Sequence, residues 1–386
     1  MVAFPYYDTT QIQALNDQAI AILKSFASHG YTRHEPSILQ PADIFLDRSG
    51  EEIRRRTFTL SDPSGRELCL RPDLTIPICK HAVDTRASLP ARLCYNGLAF
   101  RYQAGAQPTQ FFQAGAELLG ADDAAKGDVE IMEVAIDAVK AAGLRDIEVK
   151  VGDLAFFSAL VDALDLAPHW RARLKRHFWR AGYFEELLNR LTRARSTDMQ
   201  RLLSSLTGLS DEETRKAIEG LLDMVADAPQ GARTRDEIVE RLLEQAADEA
   251  ASHLDAGVVR TMTGLLDVSG EAGPALAEIA RLTKIANIDL SGPLDAMQVR
   301  LDALYKMGVA KERVSFATHF GRNLEYYTGF VFELWSRDQS GAVEIAGGGR
   351  YDTLMEAIGA GCSVPAVGCA LRTETILGAR RAAGGA

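Results

Sequence analysis

The order of strand-like and helix-like segments along the 386 residues constrains the fold more than any single motif does. Segments typical of strands fill much of the chain up to residue 163, and they return after residue 309. Between them, about 140 residues carry almost only helical patterns. This order predicts an α+β core interrupted by a mostly helical insertion. We therefore expect three segments, with the core at 1–163, the insertion at 164–309 and the rest of the core at 310–386.

Local patterns support this division of the core. Residues 11–30 have apolar positions at helical spacing and end at Gly30, which predicts a helix stop. Residues 62–65 (DPSG) are a turn signal between two short strand-like runs and predict a hairpin. A further helix is predicted over 127–142. The other predicted strands are ARLCYNGLAFRYQ, QFFQAGAELLG, IEVKVGD, ERVSFATHF, YTGFVFELW, AVEIAGGGR and PAVGCAL.

The insertion is predicted to be a set of helices. Its helix-like segments are WRARLKRHFWRAG, FEELLNRLTRAR, DMQRLLSSLTGL and EIVERLLEQAADEA. The pairs Ser210–Glu213 and Thr234–Glu237 match the pattern in which two side chains satisfy free amides at a helix N-terminus. The basic run 170–177 is interpreted as a solvated helix face with Trp170 and Leu174 turned inward. Contact of this run with RNA is the alternative.

Composition and charge argue against several classes of function. The formal net charge of −10 disfavours a surface that binds polyanions. No apolar run is long enough to span a membrane and no secretory signal begins the chain, so we expect a cytoplasmic protein without a membrane partner. The five cysteines are scattered without a C-x-x-C pair, and the seven histidines are dispersed. We therefore expect no disulfide, no metal site and no cofactor.

Four motifs follow one another in the two core segments. They are LRPDLT at 70–75, FR at 100–101 with QFFQAGAE at 110–117, RNLEYYTG at 322–329, and AGGGRYD at 346–352 with PAVG at 365–368. In this order and at these separations they resemble the catalytic domain of histidyl-tRNA synthetase, over residues 10–160 and 310–377. The resemblance implies a class II aminoacyl-tRNA synthetase-like fold, with an antiparallel sheet flanked by helices.

The motif residues together predict a pocket for a small zwitterion that carries an imidazole ring. Their carboxylate, hydroxyl and amide groups offer acceptors to an α-ammonium group and to a ring N–H, and their tyrosines offer an aromatic wall. The resemblance places the two arginines against carboxylate or phosphate oxygens. The predicted histidine-binding residues are Asp73, Thr75, Arg101, Gln113, Glu117, Arg322, Tyr326, Tyr327 and Tyr351.

Each motif also has an interpretation without a ligand. Asp73 and Thr75 can cap a turn or a helix, and Glu117 can pair with a neighbouring arginine. The tyrosines can be ordinary packing on a sheet, and the glycines at 347–349 can form a tight turn or a bulge. The glutamate of the synthetase family is Asp73 here, which shortens the reach of the carboxylate by one methylene.

Three departures from the synthetase pattern concern ATP and tRNA. The loop 102–109 (YQAGAQPT) has no lysine or arginine where the synthetases carry basic residues. The arginine that packs on ATP in class II enzymes falls on Thr375, with Arg372 three residues away. Only GARRAAGGA follows Leu377, so we expect no anticodon-binding domain. Because amino-acid activation needs cations on the ATP phosphates, these departures predict a core without that chemistry.

A synthetase-like core with these departures resembles the regulatory subunits of ATP phosphoribosyltransferase. The resemblance implies a chain without its own catalysis that partners the short-form catalytic subunit in the first step of histidine biosynthesis. It also implies a homodimer within a hetero-oligomer, an octamer, and feedback by L-histidine as effector, which is a coupling free energy between two sites. Histidine acts either in the inherited pocket or at the interface with the catalytic subunit.

Two other classes of function remain open on the sequence. An active histidine-activating ligase, or a truncated histidyl-tRNA synthetase-like enzyme, would use Arg101 and Arg322. A tRNA- or protein-binding module would use the basic run 170–177, although tRNA is not the expected partner. The catalytic phosphoribosyltransferase itself is rejected, because the sequence has no acidic loop with following glycine and threonine to grip phosphoribosyl pyrophosphate.

Overall fold

The computed structural model describes residues 6–46, 50–103, 108–164, 166, 168–178, 181–192, 211–224, 239, 256–320, 326–338, 341–382 and 384. The chain forms two compact units, one of Met1–Phe157 with Gly264–Ala386 and one of Ser158–Thr263. The predicted insertion extends beyond the second unit, because two helices between residues 272 and 306 pack within the first. A compact unit is defined by packing, whereas an insertion is defined by its position in the sequence. The boundaries at 164 and 309 therefore stay a prediction.

The first unit is built around strands. The strands are β1 Thr32–Arg33, β2 Leu39–Pro41, β3 Phe58–Ser61, β4 Glu67–Leu70, β5 Ala91–Phe100, β6 Gln110–Leu119, β7 Glu148–Asp153, β8 Ser269–Glu271, β9 Val314–Ala317, β10 Phe330–Asp338, β11 Gly341–Arg350 and β12 Ala366–Arg372. Nine of them form one sheet in the order β1-β5-β6-β12-β11-β10-β7-β9-β8, and the other three form a small sheet in the order β2-β4-β3.

The large sheet is antiparallel at its centre, as the sequence predicts. It differs from the prediction at two places, since β1 pairs with β5 and β7 pairs with β9 in parallel. Parallel neighbours need a long crossover connection. The segments between β1 and β5, and between β7 and β9, supply it because both contain helices.

Helices flank the sheet and make up the described part of the second unit. They are α1 Thr9–Ser28, α2 Asp43–Leu46, α3 Gly50–Arg56, α4 Thr75–Asp84, α5 Ala124–Ala141, α6 Ala155–Asp162, α7 Pro168–His177, α8 Ala181–Thr192, α9 Asp211–Met224, α10 Ala256–Leu266, α11 Ala272–Ile285, α12 Ser291–Lys306 and α13 Thr373–Ala382. None of these helices combines the length and the apolar character needed to cross a membrane.

The predicted local signals in the core are confirmed. Helix α1 ends at Ser28, and Gly30 follows with φ of 81°. Strands β3 and β4 form the predicted hairpin. In its turn, the carboxylate of Asp62 accepts hydrogen bonds from the backbone amides of Ser64 at 2.8 Å and Arg66 at 3.0 Å. The helix predicted over 127–142 begins earlier, at Ala124 in α5, because the side chain of the preceding residue caps it.

In the second unit, two of the predicted helices are confirmed as α7 and α8. The side chains of Trp170 and Leu174 in α7 are buried, as predicted for the basic run. Lys175 of that run forms an ion pair with Asp162 at 2.6 Å. One positive charge of the run is thus paired within the second unit. The segment DMQRLLSSLTGL, most of EIVERLLEQAADEA, and Ser210 with 234–237 lie outside the described residues.

Two buried arginines tie helices to the large sheet. Arg300 of α12 donates to Asp128 of α5 at 2.6 and 2.9 Å, and to Asp153 at the end of β7 at 2.9 Å. Arg350 at the end of β11 donates to Asp128 at 2.7 and 3.0 Å and to Asp352 at 2.9 Å. Burial raises the pKa of Asp128 and of Asp153, and the guanidinium groups oppose the shift. The cluster therefore compensates buried charge at the junction of two helices and two strands.

The small sheet has one apolar outer face. Cys69 in the central strand is buried against Ala42 and Phe45. Residues two apart in a strand share a face, as do directly opposed residues in neighbouring strands. The outer face therefore carries Leu39, Pro41, Phe58, Leu60, Leu68 and Leu70. All six are exposed or half-buried, and Leu39 and Leu60 are 47% and 40% exposed.

Candidate functional site

Strand register brings residues of β5, β6 and β12 onto one face of the large sheet. In β6, Gln113, Gly115 and Glu117 alternate with residues on the opposite face. Each is opposed by one residue of β5 and one of β12, and opposed residues share a face. These trios are Gly97, Gln113 and Arg372; Tyr95, Gly115 and Ala370; and Leu93, Glu117 and Gly368. The face therefore presents a carboxylate, an amide and a phenol side by side.

Glu117 lies at the centre of this face and is 1% exposed. Its Oε1 accepts a hydrogen bond from the hydroxyl of Tyr95 at 3.1 Å, and its Oε2 accepts one from the hydroxyl of Tyr351. Burial raises the pKa of Glu117 to about 7, although the hydroxyl donors lower it. Tyrosines, not an arginine, thus hold this carboxylate among the described residues, which disfavours the simple ion-pair interpretation.

Two glycines make room for the groups that meet here. A Cβ atom on Gly368 would overlap the carboxylate of Glu117, with the Glu117 Cδ only 2.6 Å away. A Cβ atom on Gly115 would overlap the phenol of Tyr95 and lie 2.5 Å from the carbonyl oxygen of Cys369. The glycines of QAGAE and PAVG are therefore part of the shape of the site.

Gly368→Ala is expected to lower the free energy of unfolding by about 1–3 kcal/mol, because the added methyl must displace a buried carboxylate and its two tyrosine partners. Gly378→Ala in α13 is the matched control. A Cβ there meets nothing within 4 Å, and alanine is the better helix former. Urea unfolding of the two variants and the parent chain measures the difference. Equal stability of both variants would show that the glycine is not required.

Tyr95 is absent from the residues predicted from the motifs, yet it joins them. Its hydroxyl lies 3.3 Å from Oγ1 of Thr75 and 3.4 Å from Nε2 of Gln113. The other amide atom, Oε1 of Gln113, is buried and has no hydrogen-bond partner in the part of the chain that the structure describes. The site thus contains an acceptor that protein groups leave unfilled. The signal that could have revealed Tyr95 is its pairing, in the predicted strands, with Gly115.

Asp73 and Arg101 lie together at another side of the site. The buried carboxylate of Asp73 accepts from the backbone amide of Ile76 at 3.1 Å, at the start of α4, so it does cap a helix. Burial raises the pKa of Asp73, and the charge of Arg101 opposes this. The Nε of Arg101 donates to the carbonyl of Pro72 at 2.7 Å, and its guanidinium lies 5.3 Å from the centre of the Phe111 ring.

Three tyrosines form an aromatic cluster beside Glu117. The ring centres of Tyr326 and Tyr327 are 5.0 Å apart, and those of Tyr326 and Tyr351 are 5.8 Å apart, in edge-to-face geometry. The structure thus brings eight of the nine predicted site residues into one region. Arg322 lies outside the described residues.

The glycines at 347–349 lie within strand β11, which confirms the predicted strand AVEIAGGGR, and the alternative interpretation of a tight turn or a bulge at these residues is wrong. They pair in regular register with β10 and β12, and the bulge lies beside them, between Leu334 and Trp335. A Cβ on Gly349 would lie 2.7 Å from the carbonyl oxygen of Phe330. Close approach of neighbouring backbones explains this run.

The positions linked to ATP in the synthetases differ in character here. Thr375 lies in the first turn of α13. Arg372 forms an ion pair with Glu344 at 2.8 Å, on the sheet face that carries Gln113. Arg56, which the motifs did not indicate, donates to the carbonyl of Tyr102 at 3.1 Å at the base of the loop 102–109. Residues 104–107 of that loop lie outside the described part.

The sheet and its pocket define a class II aminoacyl-tRNA synthetase-like protein. The family model for histidyl-tRNA synthetase matches residues 7–263 and 220–376. A solved structure described as an ATP phosphoribosyltransferase regulatory subunit/histidyl-tRNA synthetase from Bacillus halodurans C shares the fold. Its TM-score is 0.66 at 21% identity, over 98% of this chain and 82% of that one.

Sequence similarity narrows the class to one family. The ATP phosphoribosyltransferase regulatory subunit of Brucella anthropi is 33% identical over 354 residues, which is 90% of this chain and 93% of the relative. The protein of the same name from Allorhizobium ampelinum is 33% identical over 363 residues, 93% of this chain and 96% of the relative. The chain belongs to the family of ATP phosphoribosyltransferase regulatory subunits.

Proposed function

We propose that this chain is a cytoplasmic regulatory subunit of ATP phosphoribosyltransferase that performs no catalysis itself. It acts with a short-form catalytic subunit in the first step of histidine biosynthesis and makes that step sensitive to L-histidine. The names of its relatives support the partnership. The observation that carries the histidine part is the buried carboxylate of Glu117, oriented by two tyrosine hydroxyls beside the unfilled acceptor of Gln113.

Histidine suits this arrangement group by group. The ring N–H donates to Glu117, and the tyrosine cluster packs against the ring. The α-ammonium group donates to Oε1 of Gln113 and to Oγ1 of Thr75, and the α-carboxylate faces Arg101. Because Asp73 is engaged at the start of α4, it contributes mainly charge to the ammonium side.

The lack of catalysis follows from the electrostatics that ATP activation requires. Charge develops on the phosphates during adenylate formation, so fixed cations must face them. Thr375 is uncharged, and the ion pair with Glu344 offsets the charge of Arg372. The described residues of the loop 102–109 bring no cation of their own. These features support a pocket that keeps amino-acid recognition without the activation step.

Reconstitution with a short-form catalytic subunit tests the proposal. We expect the mixture to form phosphoribosyl-ATP faster than the catalytic subunit alone, and we expect histidine to inhibit the mixture. The isolated chain is expected to show no histidine-dependent pyrophosphate exchange. Exchange by the isolated chain would support a histidine-activating ligase instead. Inhibition that survives replacement of Glu117 would move the effector site to the subunit interface.

We also propose that the apolar outer face of the small sheet joins two copies of this chain, as a homodimer within a larger hetero-oligomer, an octamer. A two-fold contact places the same patch on both sides. With a net charge of −10, two copies repel each other over most of their surfaces. The six side chains of this face are uncharged, so two copies meet there without opposing like charges.

Leu60→Asp is expected to convert the dimer of the isolated chain to a monomer, because it places a negative charge on each copy within the apolar contact. Light scattering coupled to size-exclusion chromatography measures the mass. Thr59→Asp is the matched control, since its side chain is exposed, in the same strand, and on the other face. A dimer that survives Leu60→Asp, or a parent chain that is monomeric, would contradict the proposed contact.

A further inference from the structure

Tyr95 is the point where the two ends of the pocket meet. Its side chain is completely buried and lies over Gly115. One hydroxyl contacts Glu117, Thr75 and Gln113, at 3.1, 3.3 and 3.4 Å. Glu117 belongs to the ring end of the proposed histidine site, and Thr75 and Gln113 belong to its ammonium end. A single atom thus touches both ends.

Hydrogen counting fixes the direction of these contacts. A phenol has one hydrogen to donate and two lone pairs that accept. When Glu117 is ionised it can only accept, and it takes the hydrogen of Tyr95 at 3.1 Å; the Thr75 hydroxyl is also a hydrogen-bond neighbour that lowers the pKa of Glu117. The other two neighbours must then donate to the Tyr95 oxygen. Gln113 does so through Nε2, which turns Oε1 away from Tyr95, in agreement with the unfilled acceptor. The hydroxyl hydrogen of Thr75 lies between the Tyr95 oxygen and the Glu117 carboxylate, which leaves the lone pairs of Thr75 free.

We infer that Tyr95 is a positioning residue that makes ammonium binding at Thr75 and Gln113 depend on the negative charge of Glu117. This inference deepens the proposed function and depends on histidine binding in this pocket. A protonated Glu117 has a hydrogen of its own to donate. Tyr95 then accepts the hydrogen of Glu117 and donates its own hydrogen to Thr75. The hydroxyl hydrogen of Thr75 turns toward the ligand. The ammonium group loses an acceptor and meets a donor in its place.

Other titratable groups also face Glu117. They are Asp73 before α4, Cys79 in α4, Cys369 in β12, and Tyr326 and Tyr327 in the third predicted motif. Burial raises the pKa of both thiols and both phenols, so these four groups stay neutral at neutral pH. Burial raises the pKa of Asp73 and the charge of Arg101 opposes it, whereas burial raises the pKa of Glu117 to about 7, so Glu117 changes charge between pH 6 and 8 while the thiols and phenols do not.

The test compares two ligands that differ only in the ammonium group. L-histidine carries it, and imidazolepropionate has the same ring and carboxylate without it. Titration calorimetry measures both dissociation constants. The dissociation constant of imidazolepropionate divided by that of L-histidine reports how much the ammonium group contributes to binding. Because the α-ammonium group lowers the ring pKa of histidine below that of imidazolepropionate, each dissociation constant is first corrected for the titration of its own free ring. In the parent chain we expect this ratio to rise between about three-fold and about ten-fold from pH 6 to pH 8, the upper bound being the change in the ionised fraction of Glu117.

Tyr95→Phe removes the shared hydroxyl and is expected to hold the ratio constant within about two-fold over the same pH range. Tyr31→Phe is the matched control, because it removes a hydroxyl that donates to a carboxylate outside the site, Glu130, at 2.9 Å. It should behave like the parent chain. Thr75→Val supplies an independent test and should also flatten the ratio, whereas Thr75→Ser should restore the pH dependence.

The outcomes distinguish a failure of this inference from a failure of the proposed function. A parent chain that binds neither ligand would overturn both. A parent chain that binds histidine, together with Tyr95→Phe and Thr75→Val variants that keep the parent's pH dependence, would overturn the coupling alone. A flat ratio in the parent chain would also overturn the coupling, because no dependence on Glu117 would remain to be transmitted.

Discussion

Glu117→Gln is expected to weaken histidine binding at least ten-fold and, at the same time, to stabilise the free chain above pH 7. The loss of binding follows because a charged acceptor for the ring N–H becomes a neutral amide. The gain in stability follows because burial raises the pKa of Glu117 from 4.5 to about 7. The stability associated with this group is fully present below pH 4.5 and is lost as the pH rises through 7. The free energy of unfolding associated with Glu117 falls by about 3 kcal/mol between these two pH limits.

Urea unfolding of the parent chain and the variant at pH 5 and pH 8 measures this effect. The variant should gain relative to the parent only at the higher pH. Glu130→Gln is the matched control, since Glu130 also accepts from a tyrosine hydroxyl and its pKa is lowered. It should bring no gain at pH 8 and leave histidine binding unchanged. A Glu117→Gln chain that binds histidine like the parent, or is less stable than it at pH 8, would contradict this account of the pocket.

Arg300→Met is expected to lower the free energy of unfolding by about 3–5 kcal/mol, because Asp153 and one oxygen of Asp128 lose their partner while buried. Methionine keeps much of the volume, so the loss reports charge rather than a cavity. Arg281→Met in α11 is the control, since its ion pair with Glu278 is exposed and screened by water and should contribute little to stability. Urea unfolding compares the two variants. Similar losses in both would show that the buried cluster does not stabilise the core.

Much of the site was predictable because its residues lie in local patterns. Alternation in QFFQAGAE places Gln113 and Glu117 on one face of a strand before any partner strand is known. The resemblance to the synthetases then indicated which other motifs meet that face. The aromatic cluster of Tyr326, Tyr327 and Tyr351 is the clearest case, since its members come from two motifs.

What sequence patterns missed depends on register and on contacts between distant residues. Tyr95 becomes part of the site only once β5 and β6 pair with Tyr95 opposite Gly115. Arg300 meets Asp128 across 172 residues, and it comes from the segment predicted as an insertion. The helical pattern of that segment does not indicate that the charge of Arg300 is buried. The parallel pairing of β1 and of β9 likewise follows from long crossovers, which periodicity within each strand does not encode.

Titration calorimetry of the purified chain tests the central claim most directly: the pocket recognises histidine without taking part in ATP chemistry. The chain is to be titrated with histidine, and then with ATP in the presence of histidine. We predict binding of histidine and no binding of ATP in the presence of histidine. Binding of both ligands with release of pyrophosphate would contradict the account and identify a ligase. Absence of histidine binding would contradict it as well, and would leave the pocket without its proposed effector.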